Sequence, residues 1–150
     1  MTRWESSPVF GARERGRDYT VRPSAYGILE RGGRIALVRT PEGVYLPGGG
    51  IEAAETPEEA LTREAFEECG LHVRPGIWRD RAVQFAYAAP ERMFFEKRCH
   101  FLDAAIERET GSGTEPDHQL FWLALDDAAA ALTHEAHAWA IGRWNAWRKP

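Results

Sequence analysis

Apolar residues crowd into two short runs near the start of the chain, Ala25-Tyr26-Gly27-Ile28-Leu29 and Ile35-Ala36-Leu37-Val38. The polar stretch Glu30 to Gly33 separates them, and runs of this length bounded by a glycine turn predict two strands, over 24–29 and 34–38. Val44-Tyr45-Leu46 then leads into Pro47-Gly48-Gly49-Gly50. Further along, 83–88 and 93–102 read as strands of a hairpin joined across Ala89-Pro90-Glu91-Arg92. A flexible loop over 111–117 precedes a strand at 119–123. Asp126 is the expected cap of a final helical region, broken near Thr133 and carrying Trp139, Ile141, Trp144 and Trp147. Residues 1–20, rich in arginine, predict a partly irregular arm with Trp4 and Phe10 as its anchors.

Between these two groups of strands lies a helix with both ends marked. Thr56 is an N-cap, Pro57 suits the first helical position, and Glu59 completes a Thr-x-x-Glu capping box. Gly70 offers a left-handed C-terminal cap, so the helix spans 57–69. Leu61, Ala65 and Phe66 supply its apolar side. Glu64, Glu67 and Glu68 fall at i, i+3 and i+4, which puts three carboxylates on one face. Glu67 and Glu68 also sit near the C-terminus, where the helix dipole disfavours negative charge. A solvated acidic face is one reading. A site for a hard divalent cation, which takes oxygen ligands, is the other. The glycine run directly upstream favours the second, because it lets a ligand approach the backbone and turns a carbonyl such as that of Gly49 towards the same place.

Residues 49–71 hold seven acidic residues around a single arginine. Their spacing resembles the Nudix box, G-x5-E-x7-R-E-U-x-E-E-x-G-U with U aliphatic, and Gly49, Glu55, Arg63, Glu64, Ala65, Glu67, Glu68, Gly70 and Leu71 fill every fixed position. The resemblance implies one domain over 1–150, an α/β/α sandwich around a mixed sheet, with the box as a loop-helix-loop. It also implies hydrolysis of a nucleoside diphosphate linked to another group, with Mg2+, or Mn2+ in its place, as cofactor. On matching positions Glu64, Glu67 and Glu68 are the metal carboxylates, the Gly49 carbonyl is a further ligand, and Arg63 with Glu55 joins the loop to the helix. Glu52 stands where the family often has an acid near the metal. The proton acceptor varies within the family: Glu64 is the candidate inside the box and Glu115 the one outside it. Ala54 departs from the family, which often has glycine there, and alanine disfavours a positive φ.

Composition narrows the setting. One hundred and fifty residues suit one domain with a proper core. A net charge of −4, with the acids concentrated in the box, carries no basic stripe and argues against binding a nucleic-acid duplex. Neither a signal-peptide core nor a membrane-length apolar run is present, so no membrane partner and a cytoplasmic location are expected. Cys69 and Cys99 have no metal spacing and read as packing residues. The tryptophans near the C-terminus read as packing groups too; a contact with a second copy of the chain, giving a homodimer, is the other role they suit.

The leaving group is not legible from the box. Arg22, Arg39 and Tyr45 are the candidate substrate-binding residues, beside Phe85, Tyr87 and Lys97, since arginine and lysine meet phosphate and aromatics stack a base. The expected partner is a small nucleotide. His134 and His137 lack the His-Glu-x-x-His spacing of zinc proteases and read as surface helix. His100 reads as a core residue, and His118, near Glu115, as a loop or substrate contact. A nucleotide sensor that binds without turnover is the alternative function; a calcium-binding domain is a third, without an EF-hand loop to support it.

Overall fold

The computed structural model describes residues 4–150. Their elements run β1 (Val9–Phe10), β2 (Tyr19–Arg31), β3 (Arg34–Thr40), β4 (Gly43–Tyr45), β5 (Gly48–Gly50), α1 (Pro57–Cys69), β6 (Leu71–Ala88), β7 (Met93–Glu109), β8 (Gln119–Ala124), α2 (Leu125–Ala131) and α3 (Glu135–Arg148). The strands form one mixed sheet in the order β1-β6-β7-β2-β3-β4, with β5 on β2 and β8 on β3. β2 lies parallel to β7, and β6 antiparallel to it.

Alternation along the strands divides the interior into two layers. Tyr26 and Ile28 of β2, Ile35 and Leu37 of β3, and Cys99 and Phe101 of β7 pack with Ala136, Ala140, Ile141 and Trp144 of α3. Their neighbours Ala25, Leu29, Ala36, Val38 and Leu102 turn the other way and pack on Ala60, Leu61, Ala65 and Cys69 of α1. The result is the expected α/β/α sandwich, with α1 alone on one face and α3 on the other.

Several boundaries differ from the sequence pattern. β6 begins at Leu71, well before residue 83, and β7 runs on to Glu109. The extra length is held by backbone pairing through two register shifts, one of which sets aside the residues between Pro75 and Arg79. Charged residues, Pro75 and Gly76 dilute the apolar signal there. Asp126 is not a cap: β8 passes straight into α2 through Ala124, whose side chain makes no cap bond, and Asp126 sits in the first turn beside the helix dipole. The arm is irregular apart from β1, which pairs in parallel with Val83 and Gln84 of β6. Trp4 and Phe10 do anchor it, with ring centroids 5.1 Å from His100 and 5.8 Å from Trp139. The arm's first three residues lie outside the described ones.

Candidate active site

α1 starts and stops where its capping residues dictate. The Glu59 amide donates to Thr56 Oγ1 at 3.1 Å and the Thr56 amide to Glu59 Oε1 at 3.0 Å, a reciprocal box. Gly70 ends the helix at φ 67°, a conformation a side chain would disfavour. On the helix face between these caps, Arg63 reaches back to the loop. Its Nε and Nη2 donate to both oxygens of Glu55 at 2.8 and 3.0 Å, and Nη2 also donates to the Gly50 carbonyl at 3.0 Å. Its Nη1 serves Glu64 at 2.9 Å and Glu67 at 3.2 Å. Loop and helix are therefore clamped by one guanidinium whose planar fork suits two carboxylates at once.

The glycine segment lies against the same face. β5 pairs with Ser24 to Tyr26 of β2, and the Gly48 amide donates to Glu68 Oε1 at 2.9 Å. At Gly49 there is no room for a side chain, since a Cβ would stand 2.8 Å from the carboxyl carbon of Glu64. Ala54 adopts φ 64°, so the loop keeps the left-handed turn despite the alanine.

The connection after β7 folds over the end of α1. Thr110 donates from its amide and its hydroxyl to the Gly70 carbonyl, at 2.8 and 2.9 Å, and the Thr114 and Glu115 amides donate to the Glu67 carbonyl at 2.8 and 3.2 Å. These bonds occupy carbonyls that a helix end leaves without partners. They also deliver Glu115, whose carboxylate gathers with those of Glu64 and Glu67 so that one oxygen of each lies within 4.8 Å of the others. His118 follows, with Nδ1 at 2.9 Å from Asp117 and 3.1 Å from Glu115, and Nε2 at 3.7 Å from Glu68.

Electrostatics at this cluster is unbalanced. Burial pushes the Glu68 carboxyl well above the usual carboxylate range, against the Gly48 amide, and Glu64, Glu115 and Glu67 push it further. Burial likewise raises Glu64, although Arg63 opposes it. Glu55 goes the other way: hydrogen bonds from Arg63 hold it at about 2. Among the described residues Arg63 is the only arginine or lysine paired with these acids. Glu64, Glu67 and Glu115, oxygen donors from two segments, fit a hard divalent cation, whereas Glu68, whose Oε1 accepts the Gly48 amide, is not gathered with those three.

Beside the cluster opens a cavity of about 910 Å3, lined by Gly48, Gly49, Gly50, Glu68 and His118 on one side and by the 40–45 turn and the 86–91 hairpin end on the others. Of the residues suggested for substrate, Arg22, Tyr45, Tyr87 and Lys97 line it. Arg39 does not. It stacks 4.7 Å from the Phe121 ring and faces a separate depression beside Cys69 and Gln119. Phe85 packs edge-on against Tyr19 at 5.1 Å.

His134 and His137 correct the surface reading. His137 is fully buried and His134 nearly so. The turn between α2 and α3 drives them inward, where His137 packs 4.2 Å from the Tyr26 ring and accepts the Leu46 amide on Nδ1 at 3.2 Å. Thr133, from the same turn, exchanges bonds with β4: its hydroxyl accepts the Val44 amide at 2.9 Å and its amide donates to the Val44 carbonyl at 2.9 Å. The segment leading into the glycines is thus positioned from α3. The helix break near Thr133 was the one sequence signal for this arrangement. Both cysteines are buried and free, as expected of packing residues.

Comparison with known proteins shows the family. The family model for the NUDIX domain matches residues 18–144. The chain belongs to the NUDIX family and is a hydrolase of pyrophosphate bonds. A crystal structure of a MutT NUDIX hydrolase from Burkholderia pseudomallei is 30% identical, over 82% of this chain and 97% of its own, with a TM-score of 0.59. Two more distant structures share the fold. A NUDIX hydrolase from Nitrosomonas europaea is 16% identical over 87% of this chain and 92% of its own, at TM-score 0.67. The MutT protein from Methanosarcina mazei Go1 is 19% identical over 89% and 99%, at TM-score 0.65. No curated protein matches the chain. Among the described residues no helix is long and apolar enough to cross a membrane.

Proposed function

We propose that the chain hydrolyses the pyrophosphate linkage of a small nucleotide with Mg2+, or Mn2+ in its place. The observation that carries this reading is the gathering of Glu64, Glu67 and Glu115 within 4.8 Å of one another, with Glu68 at the rim of a cavity large enough for a nucleotide. Glu64, Glu67 and Glu68, with the Gly49 carbonyl, are the residues to hold the ion. When bound, it supplies Lewis-acid polarisation of the phosphoryl oxygens and offsets charge on the leaving group.

The protein's own groups do the rest. Arg63 keeps Glu64 and Glu67 in place while Glu55 ties it to the loop. Arg22, beside Gly50, meets the phosphates. A carboxylate takes one proton from the attacking water as the new phosphorus–oxygen bond forms and the bridging bond breaks. Glu64 and Glu115 are the two candidates for that role, and both lie in the cluster. His118, bonded to Asp117 and Glu115, holds the loop that carries Glu115.

Product analysis tests the reading. Nucleoside triphosphates, nucleotide sugars, ADP-ribose and dinucleoside polyphosphates are incubated with Mg2+, and Glu68→Gln serves as the blank. Metal-dependent release of a nucleoside monophosphate is the expected result. Binding without any turnover would replace the hydrolase with a sensor.

A further inference from the structure

One cation in the cavity stands apart from the carboxylate cluster. Lys97 of β7 is the cross-strand partner of Arg22 on β2, yet their side chains diverge. The guanidinium turns to Phe95, 5.1 Å from its ring, and lies so close to Gly50 that a Cβ there would stand 3.2 Å from its Nε. The ammonium turns to the other wall, 3.2 Å from His134 Nε2 and 5.8 Å from the centre of the Tyr45 ring. Arg22 thus faces the glycine strand, where the proposed function puts the phosphates, and Lys97 the side lined by Tyr45, Tyr87, Ala86 and Pro90, with Glu42 and Glu91 also in the lining.

His134 fixes how Lys97 can bond. A lysine ammonium has three donors and no acceptor, so the imidazole must accept at Nε2 and keep its proton on Nδ1. Burial supports this by holding His134 neutral, with its pKa pulled down to about 3. One donor is committed to His134. Among the described residues no carboxylate is in ion-pair contact with the ammonium, although Glu91 of the same cavity acts on it through space, so its remaining donors can meet a ligand acceptor there.

We infer that Lys97, steadied by His134, reads the base of the substrate and selects a ring bearing a carbonyl oxygen over one bearing an amino group at the same position. The inference rests on the nucleotide reading above. A ring carbonyl supplies the acceptor that the ammonium lacks, and a purine adds N7 beside it, the pairing lysine makes with such an edge elsewhere. An amino group presents further donors, leaving the ammonium only N7 on a purine and no acceptor on that edge of a cytosine. Tyr45 and Tyr87 give the ring flat faces without choosing among bases.

The test uses nucleotides matched except at that edge: inosine against adenosine, and uridine against cytidine. Binding of the monophosphates without metal is measured by calorimetry, and kcat/KM of the triphosphates with Mg2+. Wild-type protein should favour the carbonyl member of each pair by about ten-fold to a hundred-fold, in binding and in kcat/KM alike. Lys97→Met should erase the preference by weakening the carbonyl members, and Lys97→Arg, which keeps donors, should retain part of it. Equal affinities in the wild type would overturn the inference, and that comparison stands even if Lys97→Met does not fold. A Lys97→Met variant that weakens all four monophosphates alike would also overturn it, because that is the mark of a phosphate contact. Should none of the triphosphates turn over while the binding preference and its loss in Lys97→Met persist, hydrolysis of nucleoside triphosphates is refuted and base selection stands.

Discussion

The two sides of the cavity carry their polar groups by opposite means. On the acidic side, charge is concentrated: carboxylates from α1 and the 110–118 loop converge, and among the described residues Arg63 pairs with Glu64 and Glu67 alone of them. On the other side charge is dispersed: the Lys97 ammonium leans on a neutral imidazole beside the Tyr45 ring, and the Glu42 and Glu91 carboxylates stand apart from it in the lining. Repulsion among the acids leaves that side in need of a cation. The lysine side carries an ammonium that is in contact with no carboxylate among the described residues and needs an acceptor. A single ligand with a metal-bound phosphate at one extremity and a ring at the other satisfies both.

Removing one acid is the strongest way to break this arrangement. Glu68→Gln should lower metal-dependent turnover by at least about a hundred-fold, the order seen when a group stabilising transition-state charge is lost. Its melting temperature should be unchanged or higher, because a buried carboxylate is exchanged for a neutral group that still accepts the Gly48 amide. Near-normal turnover would remove Glu68 from the metal site. Next in size, Arg63→Ala leaves Glu64 without its guanidinium donor and Glu55 with the Glu52 amide alone. A loss of about 2 kcal/mol in urea unfolding is expected for a partly exposed clamp, together with reduced activity. An unchanged unfolding curve would mean that loop and helix hold together without it.

Acid separates the two sides. His134 and His137 are neutral in the fold and protonate on unfolding, so the stability they contribute is present above about pH 6.5 and is lost as pH falls towards the folded value, about 3 for His134. Each should steepen the decline by up to about 1.4 kcal/mol per pH unit. The buried carboxyls Glu64 and Glu68 have the opposite sign, since raised folded values make them stabilising in acid and lose that effect as pH rises. Urea unfolding of His134→Gln in metal-free buffer between pH 6.5 and 4.5 should show a shallower loss than the wild type. An identical slope would mean that His134 is not held neutral.

The smallest expected effect concerns the loop alone. Ala54→Gly should stabilise by less than about 1 kcal/mol, because relief of the left-handed strain is partly offset by the freer unfolded chain. A lower melting temperature would show that the turn is not strained.

The acidic side was legible in the sequence because its chemistry is local. A cap, a box and a helical repeat place Glu64, Glu67 and Glu68 within one turn of each other, and the arginine eight residues after Glu55 meets it across the loop. Glu115 was found for a weaker reason, as an acid in a polar loop, and it is backbone bonding to Glu67 that brings it in. The lysine side is assembled from residues far apart in the chain. Nothing near His137 foretells that it will bond Leu46, 91 residues away. The same holds for the first part of β6, whose charged residues look like loop until β7 pairs with them.

The bonds from Thr133 and His137 to the strand before the glycines also set an order of events during synthesis. Chains are made from the N-terminus. The acidic helix and its glycine segment emerge with the capping box and the Arg63 clamp supplied by their own residues, but Val44 and Leu46 wait for Thr133 and His137, 89 and 91 residues further on. A nascent chain stalled before residue 133 therefore carries every box carboxylate and no finished cavity, so activity should arise only when the final helix is free to dock.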